Sequence, residues 1–330
     1  MEAITRVSAD RFDPLKLWSR LGLLLVNVGF WVLFAALADG FLSDFNLFTL
    51  LRLTSIQIVI GLAQMVVLAI GDMNLAVGAI GGVVAMFTGA MLQLVGLPLE
   101  LALPLGLAFG VLAGVANGVL IVLTRINSFI ITLATAGIFT GLMLILTKAN
   151  SYSALPFSLV SFSGRQVFGL AMISPYVPIM LAVALALFFL YRSTRLGREM
   201  LAVGANRRAA AMSGVRVSRI VIVAHGLSGG LAAVAGLMTV GLLGTAAPVI
   251  GNDWLLTSFV APVVGGTLLS GGIVSVWGTV LGGILVGTIT NGLFLLGVSS
   301  FWLNTFFGLV LLAAVWLDRL GRVAAGTETS

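Results

Sequence analysis

The chain contains no cysteine, a single histidine and only two lysines among its 330 residues. Without cysteine there is no disulfide and no thiolate metal site, and the redox compartment stays undetermined. His225 stands alone and acids within the apolar stretches are few. No triad, carboxylate pair or metal-ligand cluster can be assembled, so catalysis within the chain is not expected. Neither Lys16 nor Lys148 follows a glycine, which excludes a Walker A phosphate loop. If ATP drives this protein, another chain must bind it. Charged residues make up 8% of the chain against 60% hydrophobic, with a mean hydropathy of +1.18. So little polar surface cannot cover a soluble globule of this size, and the chain reads as an all-α polytopic membrane protein.

What is present is a series of apolar blocks, at about 21–38, 53–70, 75–95, 99–123, 128–146, 175–190, 220–243, 255–268, 273–296 and 301–317. They predict about ten transmembrane helices, the short block at 255–268 being either a span or a re-entrant segment. The first block ends in Ala36, Leu37 and Ala38, which resembles a signal-peptidase site. It exceeds the usual h-region of about 7 to 15 residues and further spans follow, so it reads as a retained helix. Residues 1–20 then form a cytoplasmic tail, 21–318 one transmembrane domain and 319–330 a second cytoplasmic tail. In this topology the two tails, the turn at Arg125 and the stretch 191–219 share one face and hold 14 of the 17 lysines and arginines. The positive-inside rule makes that face cytoplasmic. The same clustering explains the net charge of +6 through topology and the bilayer, with no nucleic-acid partner.

Ala116-Asn117-Gly118-Val119-Leu120 resembles Thr290-Asn291-Gly292-Leu293-Phe294, and in the ten-span topology the two copies run in opposite directions. This reads either as a five-plus-five inverted repeat or as similarity between glycine-rich helices. Gly106, Gly110, Gly114 and Gly118 recur every fourth residue, and Gly278/Gly282 and Gly283/Gly287 repeat the spacing. Such ridges let helices approach closely in lipid; tight packing is the simpler reading, a wall of a solute path the other.

The stretch 191–219 carries seven arginines against one acid, Glu199. Within it Asn206 is a good N-cap, Arg207 to Ser213 includes Ala209, Ala210, Ala211 and Met212, and Gly214 is a suitable stop, so a helix of about two turns is expected. Arg207 and Arg208 fall in its first turn, where the helix dipole disfavours positive charge. A partner surface or anionic lipid therefore explains them better than local stability does, the alternative being a solvated loop. Between the second and third blocks, Asp72 and Asn74 either cap the next helix or mark a helix broken within the membrane, facing a solute path. His225 reads as an interhelical hydrogen-bonding residue, and Trp302 and Trp316 as interfacial anchors.

TRLGREMLAVGANRRAAAMSGV (194–215), VVGGTLLSGG (263–272), NGLFLLGVSS (291–300), INSFIITLA (126–134) and GDMNLAVG (71–78), taken together and in the order the chain carries them, resemble the permease subunits of bacterial ABC importers for monosaccharides. The resemblance implies a pore of two permease copies in the inner membrane, a cytoplasmic ABC ATPase holding ATP and magnesium, and a periplasmic solute-binding protein. No cofactor is implied for this chain. By the same resemblance, residues 206–215 form the coupling helix that docks on the ATPase, with Asn206, Arg207, Arg208, Ala209, Ala210, Met212 and Gly214 as its working residues. The chain departs from the family in two places. Where the family commonly reads Gly-Gly-Ile-Asp-Leu-Ser-Val-Gly, this chain displaces the acid and loses the hydroxyl. Where it commonly places acids ahead of the VVGG stretch, this chain has Leu255 and Thr257. Both put a sugar specificity in doubt while leaving the coupling motif intact. An ion-coupled secondary transporter, using Asp72, and a membrane scaffold that recruits a soluble protein are the competing readings.

Overall fold

The computed structural model describes residues 14–299 apart from 168, 170 and 171, and beyond them residues 302, 303, 305–310, 312 and 316. The helices are α1 (Pro14–Leu37), α2 (Asp44–Leu68), α3 (Val77–Gln93), α4 (Leu99–Thr124), α5 (Ser128–Thr147), α6 (Phe157–Gly164), α7 (Tyr176–Ser193), α8 (Arg195–Ala205), α9 (Arg207–Met212), α10 (Val217–Leu243), α11 (Trp254–Val264) and α12 (Val276–Leu295). No strand occurs among the described residues; an antiparallel bridge joins Tyr152 to Ala246. Six helices, α2, α4, α5, α7, α10 and α12, are long and apolar enough to cross a membrane. Three shorter apolar helices, Gly22–Leu37 within α1, α3 and α11, lie among them.

Glycine places the core. On α4, a Cβ at Gly110 would lie 2.8 Å from Gly229 O of α10, one at Gly114 3.0 Å from Gly229 Cα, and one at Gly118 2.7 Å from Ile222 Cα. α4 and α10 therefore touch backbone to backbone, which is how helices gain dispersion contacts where lipid offers no hydrophobic drive. α10 also packs on α2 and α3, and α12 lies against α2 and α11. α1 and the turn after it cover α12, Phe34 and Phe41 packing with Leu285, and Trp31 Nε1 donates to Thr288 Oγ1 at 3.0 Å. By contrast, Gly137 and Gly141 of α5 face open space.

Several boundaries differ from the sequence reading. Helix α1 already includes residues 14–20, inside the expected tail. Residues 1–13 and the expected tail 319–330 lie outside the described residues, as does part of the block 301–317. The block 255–268 is a half-helix: α11 has 11 residues and rises about 16 Å, roughly half of a 30 Å hydrocarbon core. It stops because Gly266, Gly271 and Gly272 take φ of +86°, +88° and +82°, which lead the chain round to α12. The stretch 191–219 is not a loop but the end of α7, two helices, and the start of α10. The short match between residues 116–120 and 290–294 gains no support from its surroundings. Asn291 exchanges amide bonds with Asn46 at 2.9 and 3.0 Å, whereas Asn117 is fully buried with neither amide atom bonded.

Candidate functional site beneath the arginine-rich hairpin

Thr194 opens the hairpin: its Oγ1 accepts from Gly197 N at 3.1 Å, and Arg195 and Glu199 pair one turn apart at 2.6 Å. Met200 and Val203 are buried on the inner face of α8, while Arg195 and Arg198 stand outside. Asn206 ends α8 and caps α9, its Oδ1 accepting from Ala209 N at 2.9 Å. Gly214, at φ +84°, turns the chain into α10.

Below the hairpin α2 stops at Leu68, and residues 69–76 run as turn and extended chain to α3. Gly272 N donates to Ala69 O at 3.1 Å. A Cβ on Gly71 would lie 2.9 Å from Ser270 O, one on Gly271 2.8 Å from Gly71 Cα, and one on Gly204 3.0 Å from the Ala69 carbonyl carbon. The end of α2, the end of α8 and the turn between α11 and α12 thus meet in a joint too tight for side chains.

Arg207 reaches into this joint. Its Nη2 donates to Asp72 Oδ1 at 2.6 Å and to Ile70 O at 3.4 Å. The guanidinium so places its charge against a carboxylate and the exposed carbonyl end of α2, where the dipole favours a cation. Asp72 Oδ2 faces His225 Nε2 of α10 at 3.5 Å, an electrostatic contact at the limit of hydrogen bonding. Asp72 is 4% exposed and His225 fully buried. The charge that looked misplaced at the start of α9 thus has a partner 135 residues away within its own chain.

Residues 46–315 match the family described as "Branched-chain amino acid transport system / permease component". The chain belongs to this family. It is similar to the ribose import permease protein of Bacillus subtilis strain 168, 36% identical over 92% of each chain. The D-allose transport system permease protein of Escherichia coli K12 is 34% identical over 96% of this chain and 98% of its own. The xylose transport system permease protein of the same strain is 29% identical over 90% of this chain and 93% of its own. No solved structure matches.

Asn74, the second candidate of this permease's broken segment, is fully buried. Its Nδ2 donates to Ser228 Oγ at 2.9 Å and its Oδ1 accepts from Ala76 N at 3.0 Å. The Gln64 amide is satisfied with its nitrogen toward Asn74 O at 2.9 Å and its oxygen toward Asn74 N at 3.3 Å. Thr132 Oγ1 of α5 accepts from Leu75 N at 3.0 Å. The break is therefore held by side chains from α2, α5 and α10. Asn74→Ala strands the Ser228 hydroxyl and the Ala76 amide; we expect a loss of about 1–2 kcal/mol, read as a lower unfolding midpoint of the purified protein in detergent.

The permease's α9 is two-sided. Ala210 is buried against the chain, whereas Arg208, Ala209 and Gly214 are exposed and Met212 is 83% exposed. Sequence reasoning missed α8 and the inward turn of Arg207. The Thr194 cap and the Arg195/Glu199 spacing signalled the first; nothing local signalled the second. The glycines Gly106, Gly110, Gly114 and Gly118 are buried in the α4–α10 seam and lie outside this site.

Proposed function

We propose that the chain is the membrane permease subunit of an ATP-driven importer for a small polar solute, a monosaccharide or polyol. The observation that carries this reading is the hairpin. Its outer face offers Arg208, Ala209 and Met212 to a partner, while its inner face is pinned to a broken transmembrane helix through Arg207 and Asp72. A push on α9 would pass through that pair to residues 69–76 and, at the same joint, to the turn between α11 and α12. The relatives' names supply the solute class, ribose, allose and xylose. On this reading the permease has about ten spans with both ends cytoplasmic. It works as two copies in the bacterial inner membrane, with an ABC ATPase below and a periplasmic solute-binding protein above.

The test is the complex reconstituted in vesicles. ATP hydrolysis should rise when loaded binding protein is added, and an unresponsive complex, beside an importer that responds, would sink the proposal. Met212→Glu should reduce solute uptake at least about tenfold and weaken co-purification of the ATPase while the permease still inserts, since it places a charge in a desolvated contact. Normal uptake by that variant would remove α9 from the coupling contact. An ion-coupled transporter predicts uptake without any ATPase and collapse under a protonophore. The engagement of Asp72 by Arg207 counts against that carboxylate serving as a free proton carrier.

A further inference from the structure

α11 runs from the joint at Gly265 back to a second polar constellation about 16 Å away. There Gln57 of α2, Thr239 near the end of α10, and Asp253, Trp254 and Thr257 at the start of α11 line a cavity of about 290 Å³ whose remaining walls are apolar, among them Ile56, Ile60, Leu242 and Ile250. That volume sits at the small end of the roughly 300–1,000 Å³ of ligand pockets and suits one small molecule.

The charge of the lining is one-sided. Asp253 is exposed, and among the described residues its carboxylate has no ion pair or hydrogen bond, in a chain with only 11 acids. Gln57 Oε1 is buried with no donor. The Thr257 hydroxyl donates to the main-chain oxygens of Asp253 and Trp254 at 3.3 and 3.2 Å, which leaves its oxygen free to accept. No lysine or arginine lines the cavity. Asp253, Gln57 Oε1 and Thr257 Oγ1 offer acceptors beside the donors of Gln57 Nε2 and the Trp254 indole, and a ligand rich in hydroxyls, which both donate and accept, fits this set. An anionic solute would meet an uncompensated carboxylate, and a zwitterionic amino acid would find no cation for its own carboxylate. A carboxylate among apolar helices is costly unless it faces water or a ligand. A cavity between α4, α7 and α10, of about 450 Å³, is lined by Val111, Val115, Val223, Leu227 and other apolar residues and offers no polar side chain.

We propose that the cavity at the start of α11 is the permease's solute-contact site. It takes one neutral, polyhydroxylated molecule of monosaccharide size, whose hydroxyls donate to Asp253, Gln57 Oε1 and Thr257. This rests on the reading of the chain as a solute permease.

The absence of cysteine allows a direct test. In the complex reconstituted with its ATPase and binding protein, the Thr257→Cys variant should react with a membrane-impermeant thiol reagent. D-ribose, D-allose, D-xylose and ribitol are the probes, with L-leucine as the contrasting one, and whichever of the first four the wild type transports should slow that reaction. A Val115→Cys variant in the apolar cavity should show no such protection. Asp253→Asn and Gln57→Leu should each raise the KM for that solute about tenfold or more. An unreactive Thr257→Cys variant, protection by L-leucine alone, or wild-type KM values in both other variants would overturn the assignment. A wild-type complex that transports none of the five would instead overturn the reading beneath it.

Discussion

Gly114→Leu is expected to leave almost no folded permease in the membrane. A Cβ at this position would overlap the His225 carbonyl oxygen and lie 2.9 Å from the His225 carbonyl carbon and 3.0 Å from Gly229 Cα. All three are backbone atoms, so no side chain can swing aside and α4 must move away from α10 along the whole seam. Overpacking a core costs typically 1–3 kcal/mol where neighbours can adjust; against rigid backbone we expect the upper end or beyond. Lipid gives no hydrophobic drive to re-close the gap. The same leucine at Gly137, which faces open space, should be nearly neutral. The comparison is made by size-exclusion profile and thermal midpoint after detergent extraction. Equal yields and midpoints for the two variants would show that the seam is not what holds the bundle.

Arg207→Gln is expected to cut transport at least about tenfold while the permease still inserts and still binds its ATPase. The variant leaves the Asp72 carboxylate, 4% exposed, with only His225 facing it. Removing one partner of a fully buried pair costs about 3–5 kcal/mol. Because the Arg207 side chain is 46% exposed, solvent screens part of that and a loss of about 1–3 kcal/mol is expected. Asp72→Asn should cost less, since it removes the charge that would otherwise be stranded. The double variant Asp72→Asn/Arg207→Gln should therefore be more stable than Arg207→Gln alone, yet remain defective in transport, because the link from α9 to residues 69–76 is gone. A purely structural pair would restore stability and transport together. Measuring unfolding midpoint, ATPase co-purification and uptake on the same three variants separates the two outcomes. Full uptake by Arg207→Gln would exclude the pair from coupling.

Much of this molecule is legible without coordinates, because its governing signals are local. Scarcity of charge dictates a membrane protein, and runs of about twenty apolar residues dictate helices. The Asn206 cap and the Gly214 stop bound α9 from positions close to it in the chain, and the structure places both where that chemistry requires. Glycines four residues apart mark which face of α4 meets a neighbour.

Other features depend on groups distant in sequence, and here the sequence reading fell short or went astray. Arg207 read as a charge awaiting a partner surface because Asp72 lies outside any window in which periodicity or capping is judged. Residues 255–268 stayed open between a span and a re-entrant segment, because hydropathy registers apolar content but not the left-handed glycines that end α11 after 11 residues. Gln57 and Asp253 carry no motif; a cavity brings them together only because α11 is short and begins beside the side of α2. By itself the sequence determined the long apolar helices, the clustering of basic residues at 191–219 and the cap of α9, since each rests on contacts within a few residues. Tertiary structure alone decided which polar groups pair, because desolvated charges and amides take the partner that packing brings within about 3 Å, whatever their separation along the chain.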